Sequence, residues 1–424
     1  MSTADLAKQA GMSEAQWKEA IKFDSTDRGW IIMSIGMAIG AGIVFLPVQV
    51  GLVGVWVFLL SALIAYPSIY LLQRLFINTL ADSPDCNDYP SIIGGYLGKN
   101  WGFFLGILYF MMSLICVFMY STALTNDSAS FLQSFGVTKG LLSDNPLYGL
   151  AVICFMVVVA SRGEQLLFKV STLMVLTKLC VVACLGLLMV QSWDLANLGA
   201  FPDWSYILKQ TIIMLPYTLT SIIFIPCLSP MVISYRSHHT SIHVARYKAM
   251  RAMKIAFFVL FITVFSYAMG HEQAVEAYTN NISALAMVAR GADADAVKIF
   301  SLILNIFAVV TAYFSVFLGF KEACTGIALN ILSRLLPAEK INKELVSKGI
   351  LVFAVSVSWG AIVLNAPILK LLSFLGPILG CIGCLIPAYL VYKVGSLRKY
   401  KGMVLNLIVF SGVLLVVSPF IAMI

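Results

Sequence analysis

The sequence predicts an all-α membrane protein with about eleven transmembrane helices. Hydrophobic residues make up 60% of the 424 residues, charged residues make up 11%, and the mean hydropathy is +0.92. The apolar runs are continuous over about twenty residues, which is the length that an α-helix needs to cross a hydrocarbon core of ~30 Å. Because a transmembrane barrel would show alternating apolar residues, we expect helices and not strands.

Eleven apolar runs are the candidate spans, and the fourth and ninth are the shortest. The runs cover Trp30–Val50, Val53–Phe76, Trp101–Ala123, Tyr148–Ser161, Lys169–Val190, Gln210–Ser234, Met253–Gly270, Lys298–Phe320, Ile350–Leu364, Ile368–Tyr392 and Met403–Ile424. Before the first run, Ser13 and Gln16 have the spacing of a capping box, which predicts a short cytoplasmic helix through Lys22. This leading segment lacks the apolar core of a signal peptide.

Basic residues are distributed unequally between the two sides of the predicted bundle. The N-terminal segment and the alternate loops after it hold most of the 28 lysines and arginines, whereas the opposite loops hold Lys139, Lys209, Arg290, Lys298 and Lys370. Because basic loops tend to stay in the cytoplasm, we predict a cytoplasmic N-terminus and a periplasmic C-terminus. The asymmetry also accounts for the net charge of +8, so the expected partner is the lipid bilayer and not a nucleic acid.

No group of residues in the sequence is typical of an enzyme or of a metal protein. Phosphate-binding glycine loops, HExxH and GxSxG are absent, and acidic residues lie mostly in loops. Cys381 and Cys384 have the spacing of a redox pair, but their place inside the tenth span favours helix packing. His239 and His243 share a helix face, yet no acid or thiol nearby completes a metal site. We therefore expect no catalytic residue, metal or cofactor, which leaves a transporter, a channel or a passive membrane protein.

The first span is interrupted near the middle of the membrane. Gly36, Gly40 and Gly42 precede Pro47, at a depth of about 15 Å counted from Trp30 at ~1.5 Å per residue. These residues predict a discontinuous helix because glycine destabilises a helix and proline cannot donate a backbone hydrogen bond. Ordinary packing glycines and a proline kink are the alternative interpretation.

The sixth span is interrupted in a similar way, by Pro226 and Pro230. The two interrupted helices are five spans apart, and an odd number of spans inverts a second copy of the unit. We therefore predict a 5+5 inverted repeat with discontinuous helices one and six, as in secondary transporters. The predicted parts are a lead-in at 1–26, repeats at 27–192 and 208–394, and an eleventh helix at 395–424.

Interrupted helices expose backbone groups that can bind a zwitterion. Amides at Gly40, Ala41 and Gly42, at the positive end of the following half-helix, suit a substrate carboxylate. Carbonyl groups freed at the second break suit an ammonium group, and a serine beside this break can contact the substrate side chain. The candidate binding residues of the sixth span are Phe224, Ile225, Pro226, Cys227 and Ser229. A site for both charges predicts an amino acid as the substrate.

Four stretches of the sequence carry a family resemblance. They are GAGIVFLPVQVG from Gly40, SRGEQLLFKVS from Ser161, NNISALA from Asn280 and LGFKEACTG from Leu318. From about Asp27 to its last residue, the chain resembles the bacterial hydroxy and aromatic amino acid permeases of the amino acid-polyamine-organocation superfamily. The resemblance implies the leucine-transporter fold and proton-driven amino acid uptake across the bacterial inner membrane.

Individual motifs point to different branches of this family. The RGEQ and NIS motifs are similar to the serine permeases, which have Asn-His-Ser-Pro where this chain has Cys227-Leu-Ser-Pro. The lysine of the fifth span and the run Phe307-Ala-Val are similar to the tryptophan and tyrosine permeases. The resemblance therefore leaves the substrate open between hydroxy amino acids, such as serine or threonine, and aromatic ones.

Lys178 is the only charged residue in the apolar core of the fifth span, about 13 Å past Lys169 at ~1.5 Å per residue. A charge at this depth costs at least ~2.5 kcal/mol on insertion scales, and snorkelling reaches only ~6 Å. We therefore expect its side chain to face the protein interior.

Sodium-coupled relatives of the leucine-transporter fold hold a cation between spans one, five and eight. By this resemblance, the expected ion-coupling groups are the Lys178 ammonium, the backbone at Ala38 and Ile39, and the hydroxyls of Thr311 and Ser315. A protonated lysine would hold the three spans together and a neutral one would release them, which predicts a proton symporter. The alternatives are a purely structural lysine, sodium coupling and, from another class, a channel or a non-transporting sensor.

Overall fold

A computed structural model describes residues 3–83, 89–161, 172–182, 184, 200–238, 241–264, 271–291, 295–335 and 341–423. Secondary structure in this part of the chain is helical, without strands. The RGEQ motif, His239 and the part of the fifth span beyond residue 184 lie outside the described residues.

The described residues form nineteen α-helices, and several of the predicted spans consist of two of them. The first nine are α1 Thr3–Gln9, α2 Glu14–Ala20, α3 Ser25–Ala38, α4 Ala41–Val53, α5 Val55–Ala81, α6 Tyr89–Leu97, α7 Lys99–Ser134, α8 Pro146–Ser161 and α9 Thr172–Val182. The others are α10 Trp204–Thr220, α11 Ile225–His238, α12 Ile242–Val264, α13 His271–Thr279, α14 Ala284–Gly291, α15 Asp295–Leu335, α16 Lys343–Val363, α17 Ile368–Leu379, α18 Ile386–Lys393 and α19 Met403–Met423.

Seven stretches of the described chain are long and apolar enough to cross a membrane. They are Val55–Ala81, Asn100–Ser134, Trp204–His238, Asp295–Leu329, Lys343–Val363, Ile368–Lys393 and Met403–Met423. Shorter apolar helices lie at Val44–Val53, Pro146–Ser161 and Thr172–Val182, inside or beside the predicted spans one, four and five. The helical, multi-pass membrane architecture is thereby confirmed, and the total of eleven spans stays a prediction.

The capping box before the first span is present. Ser13 accepts a hydrogen bond from the Gln16 amide, and the Gln16 side chain accepts one from the Ser13 amide at 3.0 Å. The helix that it opens ends at Ala20 and not at Lys22. Trp17 of this helix is buried against Tyr247 of α12, with the ring centroids 5.7 Å apart. The lead-in is therefore packed onto the helical bundle.

Several boundaries differ from the hydropathy prediction. Helix α7 continues to Ser134 and α15 to Leu335, well beyond the predicted ends at Ala123 and Phe320. Four further helices were not predicted, namely α1, α6, α13 and α14. Backbone hydrogen bonding continues after the apolar run ends, so hydropathy locates the membrane segment better than the helix ends.

Both predicted interruptions are present. Helix α3 ends at Ala38, and α4 begins at Ala41 after the extended residue Gly40 (φ −133°, ψ −148°). In the sixth span, α10 and α11 are separated by residues 221–224. Pro226 lies in the first turn of α11, where proline is tolerated, and Pro230 lies inside the same continuous helix. The break therefore comes before both prolines and not between them.

Small residues bring the tenth and eleventh spans together. A π-helical turn at Gly380–Leu385 joins α17 to α18, and it contains the Cys-Ile-Gly-Cys motif. A Cβ atom added at Gly412 of α19 would lie 2.7 Å from the Cβ of Cys384. This contact agrees with the packing interpretation of the motif. The inverted repeat and its boundaries at 27–192 and 208–394 stay predictions.

Candidate substrate and cation site

The two helix interruptions are in direct contact. A Cβ atom added at Gly42 would lie 2.2 Å from the carbonyl oxygen of Thr220, the last residue of α10. A Cβ atom at Gly40 would lie 2.8 Å from the Ala312 Cβ and 2.9 Å from the Tyr120 hydroxyl. Glycine is needed at both positions because helices α7, α10 and α15 approach the first break too closely for a side chain.

The start of α4 presents backbone donors at this junction. Gly40 is the N-cap of α4, and as a glycine it has no side chain that could accept a hydrogen bond from the first amides of the helix. The first amides of a helix, here those of Ala41 and Gly42, have no acceptor within it, and the helix dipole makes this end positive. The amide of Gly40 itself donates to the Ala38 carbonyl at 2.8 Å. Of the three residues predicted to bind a carboxylate, Ala41 and Gly42 therefore contribute amides of the first turn, and Gly40 is the N-cap.

The acceptors at the second break differ from those predicted. The Phe224 carbonyl accepts the Cys227 amide at 2.9 Å, and the Phe224 amide donates to Gln73 at 3.3 Å. Ile225, Pro226 and Cys227 belong to α11, so their carbonyls are directed along that helix. The carbonyls that lie outside regular helical pairing are those of residues 220–223. The prediction placed the break at the prolines, about one turn too far along the chain, and ammonium binding at this break stays a prediction.

A cavity of about 1070 Å³ begins at this junction. Gly42, Pro226, Cys227 and Ser229 line it, whereas Phe224 and Ile225 are fully buried beside it. Its wall also includes parts of α3, α7, α15 and α17. Among the lining residues are Trp30 in the first half of α3, Gly94 and Gly95 of α6, Phe103 near the start of α7, and Glu322, Gly326 and Ile327 toward the end of α15. The cavity thus extends from the interruptions toward the face of the molecule at which α3 begins, which we call the N-terminal face.

Lys178 lies beside the first break and is fully buried. Its Nζ atom donates to the Gly36 carbonyl at 3.1 Å, to the Ile39 carbonyl at 2.9 Å and to the Thr311 hydroxyl at 2.7 Å. The three acceptors match the three hydrogens of an ammonium group. Lys178 therefore bridges α3, α9 and α15 at the point where α3 ends.

Two of the expected groups are not hydrogen-bonded to Lys178. The Ala38 carbonyl accepts the Gly40 amide instead, and the Ser315 hydroxyl donates to the Thr311 carbonyl at 3.1 Å. Gly36, which the cation-site prediction omitted, supplies a carbonyl and also allows close approach of α9. A Cβ atom there would lie 2.4 Å from Val175 Cγ2. Its place in the glycine cluster of span one was the available sequence signal.

The hydrogen-bond partners of Lys178 in the described chain are dipoles. Within the described chain, no carboxylate lies within ion-pair distance of it. Thr311 in turn donates its hydroxyl hydrogen to the Phe307 carbonyl at 2.7 Å, so it accepts from the lysine. The described residues also contain no cluster of His, Cys, Asp or Glu that could hold a metal ion.

Comparison with known proteins identifies the family. No protein-family profile matches the chain. It is 64% identical to a protein described as a probable serine transporter from Escherichia coli strain K12, over 98% of this chain and 96% of the relative. The chain belongs to this serine transporter family. A second relative, the serine transporter SdaC of the same strain, is 25% identical over 96% of this chain and 95% of its own.

Membership of this family settles the class of protein. The relatives are transporters and not enzymes, in agreement with the lack of catalytic motifs in the sequence. The family also agrees with the resemblance to the hydroxy amino acid permeases.

Proposed function

We propose that the chain imports a small hydroxy amino acid, with serine as the first candidate, by proton symport across the bacterial inner membrane. The serine transporters that it resembles support the substrate class. The choice of a proton as the coupling ion rests on the position of Lys178, whose ammonium group lies at the junction of α3, α9 and α15. The excess of basic residues at the N-terminal face supports a cytoplasmic location for that face.

The substrate binds where the two interruptions meet. Its carboxylate is bound by the amides of Ala41 and Gly42 at the positive end of α4, and its ammonium by the carbonyls of residues 220–223. Ser229 and Tyr120, whose side chains line the cavity, contact the substrate hydroxyl. Backbone groups thus bind what all amino acids share, and side chains distinguish among them.

Proton binding at Lys178 controls how firmly α3 is held against α9 and α15. An ammonium group offers three hydrogens to three acceptors, whereas a neutral amine offers two and points its lone pair at the third. Loss of the proton therefore removes at least one hydrogen bond between α9 and the Gly36, Ile39 or Thr311 acceptors. Because Gly36 and Ile39 flank the break that binds the substrate, proton and substrate occupancy are coupled through the same backbone.

Uptake by purified protein in proteoliposomes tests the coupling. Wild type is expected to concentrate serine under an inward pH gradient, and Lys178→Gln is expected to lose accumulation while it retains exchange of internal for external serine. Lys209→Gln is the matched control because Lys209 is exposed. Accumulation by Lys178→Gln under a pH gradient alone would overturn proton coupling through this residue, and strictly sodium-dependent uptake by wild type would favour the sodium alternative.

Competition in the same vesicles tests the substrate. Serine, threonine, cysteine, tryptophan and tyrosine are each added at the same excess over labelled serine. We expect serine to compete best and the two aromatic amino acids to compete least. Stronger competition by tryptophan or tyrosine would instead assign the chain to aromatic substrates.

A further inference from the structure

A helical hairpin covers the face of the molecule opposite to the N-terminal face. It consists of α13 and α14, joined by the NNIS motif at 280–283. Helix α13 packs on α4, and His271 at its start is hydrogen-bonded to the Gly51 carbonyl near the end of α4 at 2.9 Å. Ala274 and Ala277 are fully buried in this packing. The half-helix that presents the substrate amides is therefore held from outside by the hairpin.

The turn of the hairpin is bound by a buried carboxylate on another helix. Asp127 of α7 is fully buried, and one carboxylate oxygen accepts the Ser283 amide at 2.9 Å. The other oxygen accepts the side-chain amide of Asn305 in α15 at 2.8 Å. Arg290 of α14, the charged group that faces this region, donates to the Ser130 hydroxyl at 2.9 Å, one turn beyond Asp127.

The residue before Asp127 binds the same turn. Asn126 donates to the Asn281 carbonyl at 3.2 Å and to the Asn365 side chain at 3.0 Å. The Asn281 side chain donates to the Ala366 carbonyl at 2.8 Å. Asn281 (φ 53°) and Asn365 (φ 44°) are the two non-glycine residues with positive φ in the described chain. Their backbone conformation is uncommon, so it is maintained by this network.

We propose that Asp127 is a positioning residue for transport, which closes the outer end of the pathway by holding the NNIS turn. Helices α7 and α15 carry the anchor, the hairpin carries the donor, and α4 carries the substrate amides beneath. Substrate entering from the outer face must displace the hairpin, so the Asp127 to Ser283 bond breaks in each cycle. This inference rests on the proposed transport function, but not on proton coupling or on the identity of the substrate.

The test measures how often the hairpin lifts. Ala277→Cys places a thiol on its buried face, and a membrane-impermeant maleimide applied to right-side-out vesicles labels it when the hairpin opens. The parent chain is labelled in the same way, and the signal from its native cysteines is subtracted. Ala354→Cys, which is fully buried in α16 and away from the hairpin, reports global unfolding.

Asp127→Ala is expected to raise labelling at position 277 about tenfold or more, because it leaves the Ser283 amide and Asn305 without an acceptor. Asp127→Asn is expected to restore labelling to within about threefold of wild type, since one oxygen remains and the Asn305 amide can rotate to present its own. Thr279→Ala is the matched control, because Thr279 lies in the same hairpin, is exposed, and donates its hydroxyl to the Val275 carbonyl of its own helix.

Transport measured on the same variants separates positioning from stability alone. Asp127→Ala is expected to lower serine accumulation several-fold while exchange continues, and Asp127→Asn is expected to recover most of it. Unchanged labelling in Asp127→Ala would overturn the proposal, as would an equal rise at positions 277 and 354. If Asp127→Ala fails to reach the membrane, Asn126→Ala is the second variant, and unchanged labelling there has the same meaning.

Discussion

The two faces of the molecule are closed by different chemistry. At the N-terminal face, the buried Asp27 of α3 accepts from Tyr235 of α11 at 2.7 Å and pairs with Arg251 of α12 at 2.8 Å. At the outer face, the buried Asp127 accepts mainly from neutral amides, including that of Ser283. One carboxylate is therefore neutralised by cations, and the other is solvated by backbone and side-chain dipoles.

The two carboxylates also join different helices at the two faces. Asp27 and its partners connect α3, α11 and α12 to one another. Helix α3 is one half of the first interrupted span, and α11 is one half of the second. Asp127 and its partners connect α7 and α15 to the hairpin above α4. Ion pairs and a hydrogen bond thus join α3, α11 and α12 into one unit. The cavity lies beside this unit, because Trp30 and Ile233 line it. At Asp127 only the acceptor is a carboxyl group and the donors are uncharged amides, which water replaces more easily than it replaces a buried cation. This arrangement is used where the transport proposal requires repeated opening.

The largest effect is expected from Asp27→Ala. It leaves Arg251 and Lys248 without their buried partner, and removal of one member of a buried ion pair costs about 3–5 kcal/mol. Thermal unfolding of the purified protein in detergent measures the loss. Glu19→Ala, which breaks the exposed pair with Lys22, is the control and is expected to change stability by less than about 1 kcal/mol. An equal loss of stability in Asp27→Ala and Glu19→Ala would show that the Asp27 ion pairs do not stabilise the packing of α3 against α11 and α12.

A smaller loss is expected from Asn281→Ala at the outer face. The substitution removes three side-chain hydrogen bonds, to Asn365, Ala366 and Ile368, and leaves alanine at a positive φ. We expect about 2–3 kcal/mol of destabilisation, and about 1 kcal/mol less for Asn281→Gly because glycine adopts this φ freely. The same unfolding assay applies. Greater stability of the alanine variant would show that backbone strain is unimportant in this network.

The smallest effect is expected at the exposed edge of the Asp27 cluster, from Asp24→Asn. Burial acts to raise the pKa of Asp24, but the hydrogen bond from Lys248 and the Asp27 backbone outweigh it and lower this pKa below its usual value. The stabilisation is therefore present above about pH 4 and is lost as the pH falls through the lowered pKa.

Because the Asp24 side chain is 45% exposed, the expected loss at neutral pH is only about 1 kcal/mol or less. Unfolding temperatures from pH 3 to pH 7 are the measurement. The difference between wild type and Asp24→Asn is expected to shrink toward acid pH, and a difference that grows there would contradict the assignment.

The class of protein, the two interruptions and the burial of Lys178 could be predicted from the sequence. These features are local, because a span needs only a long apolar run, a break needs only glycine or proline within it, and a lysine at mid-membrane depth must face the interior. The NNIS motif was also visible, but only as a family resemblance and without a structural role.

Tertiary structure alone decided which groups meet. It selected Gly36 over Ala38 as a lysine acceptor, moved the free carbonyls from the prolines to residues 220–223, and brought Asp127 to a turn 156 positions away. The hydropathy prediction ended the third span at Ala123, before Asp127. Such contacts depend on the relative rotation and depth of separate helices, which helical periodicity and apolar length do not specify.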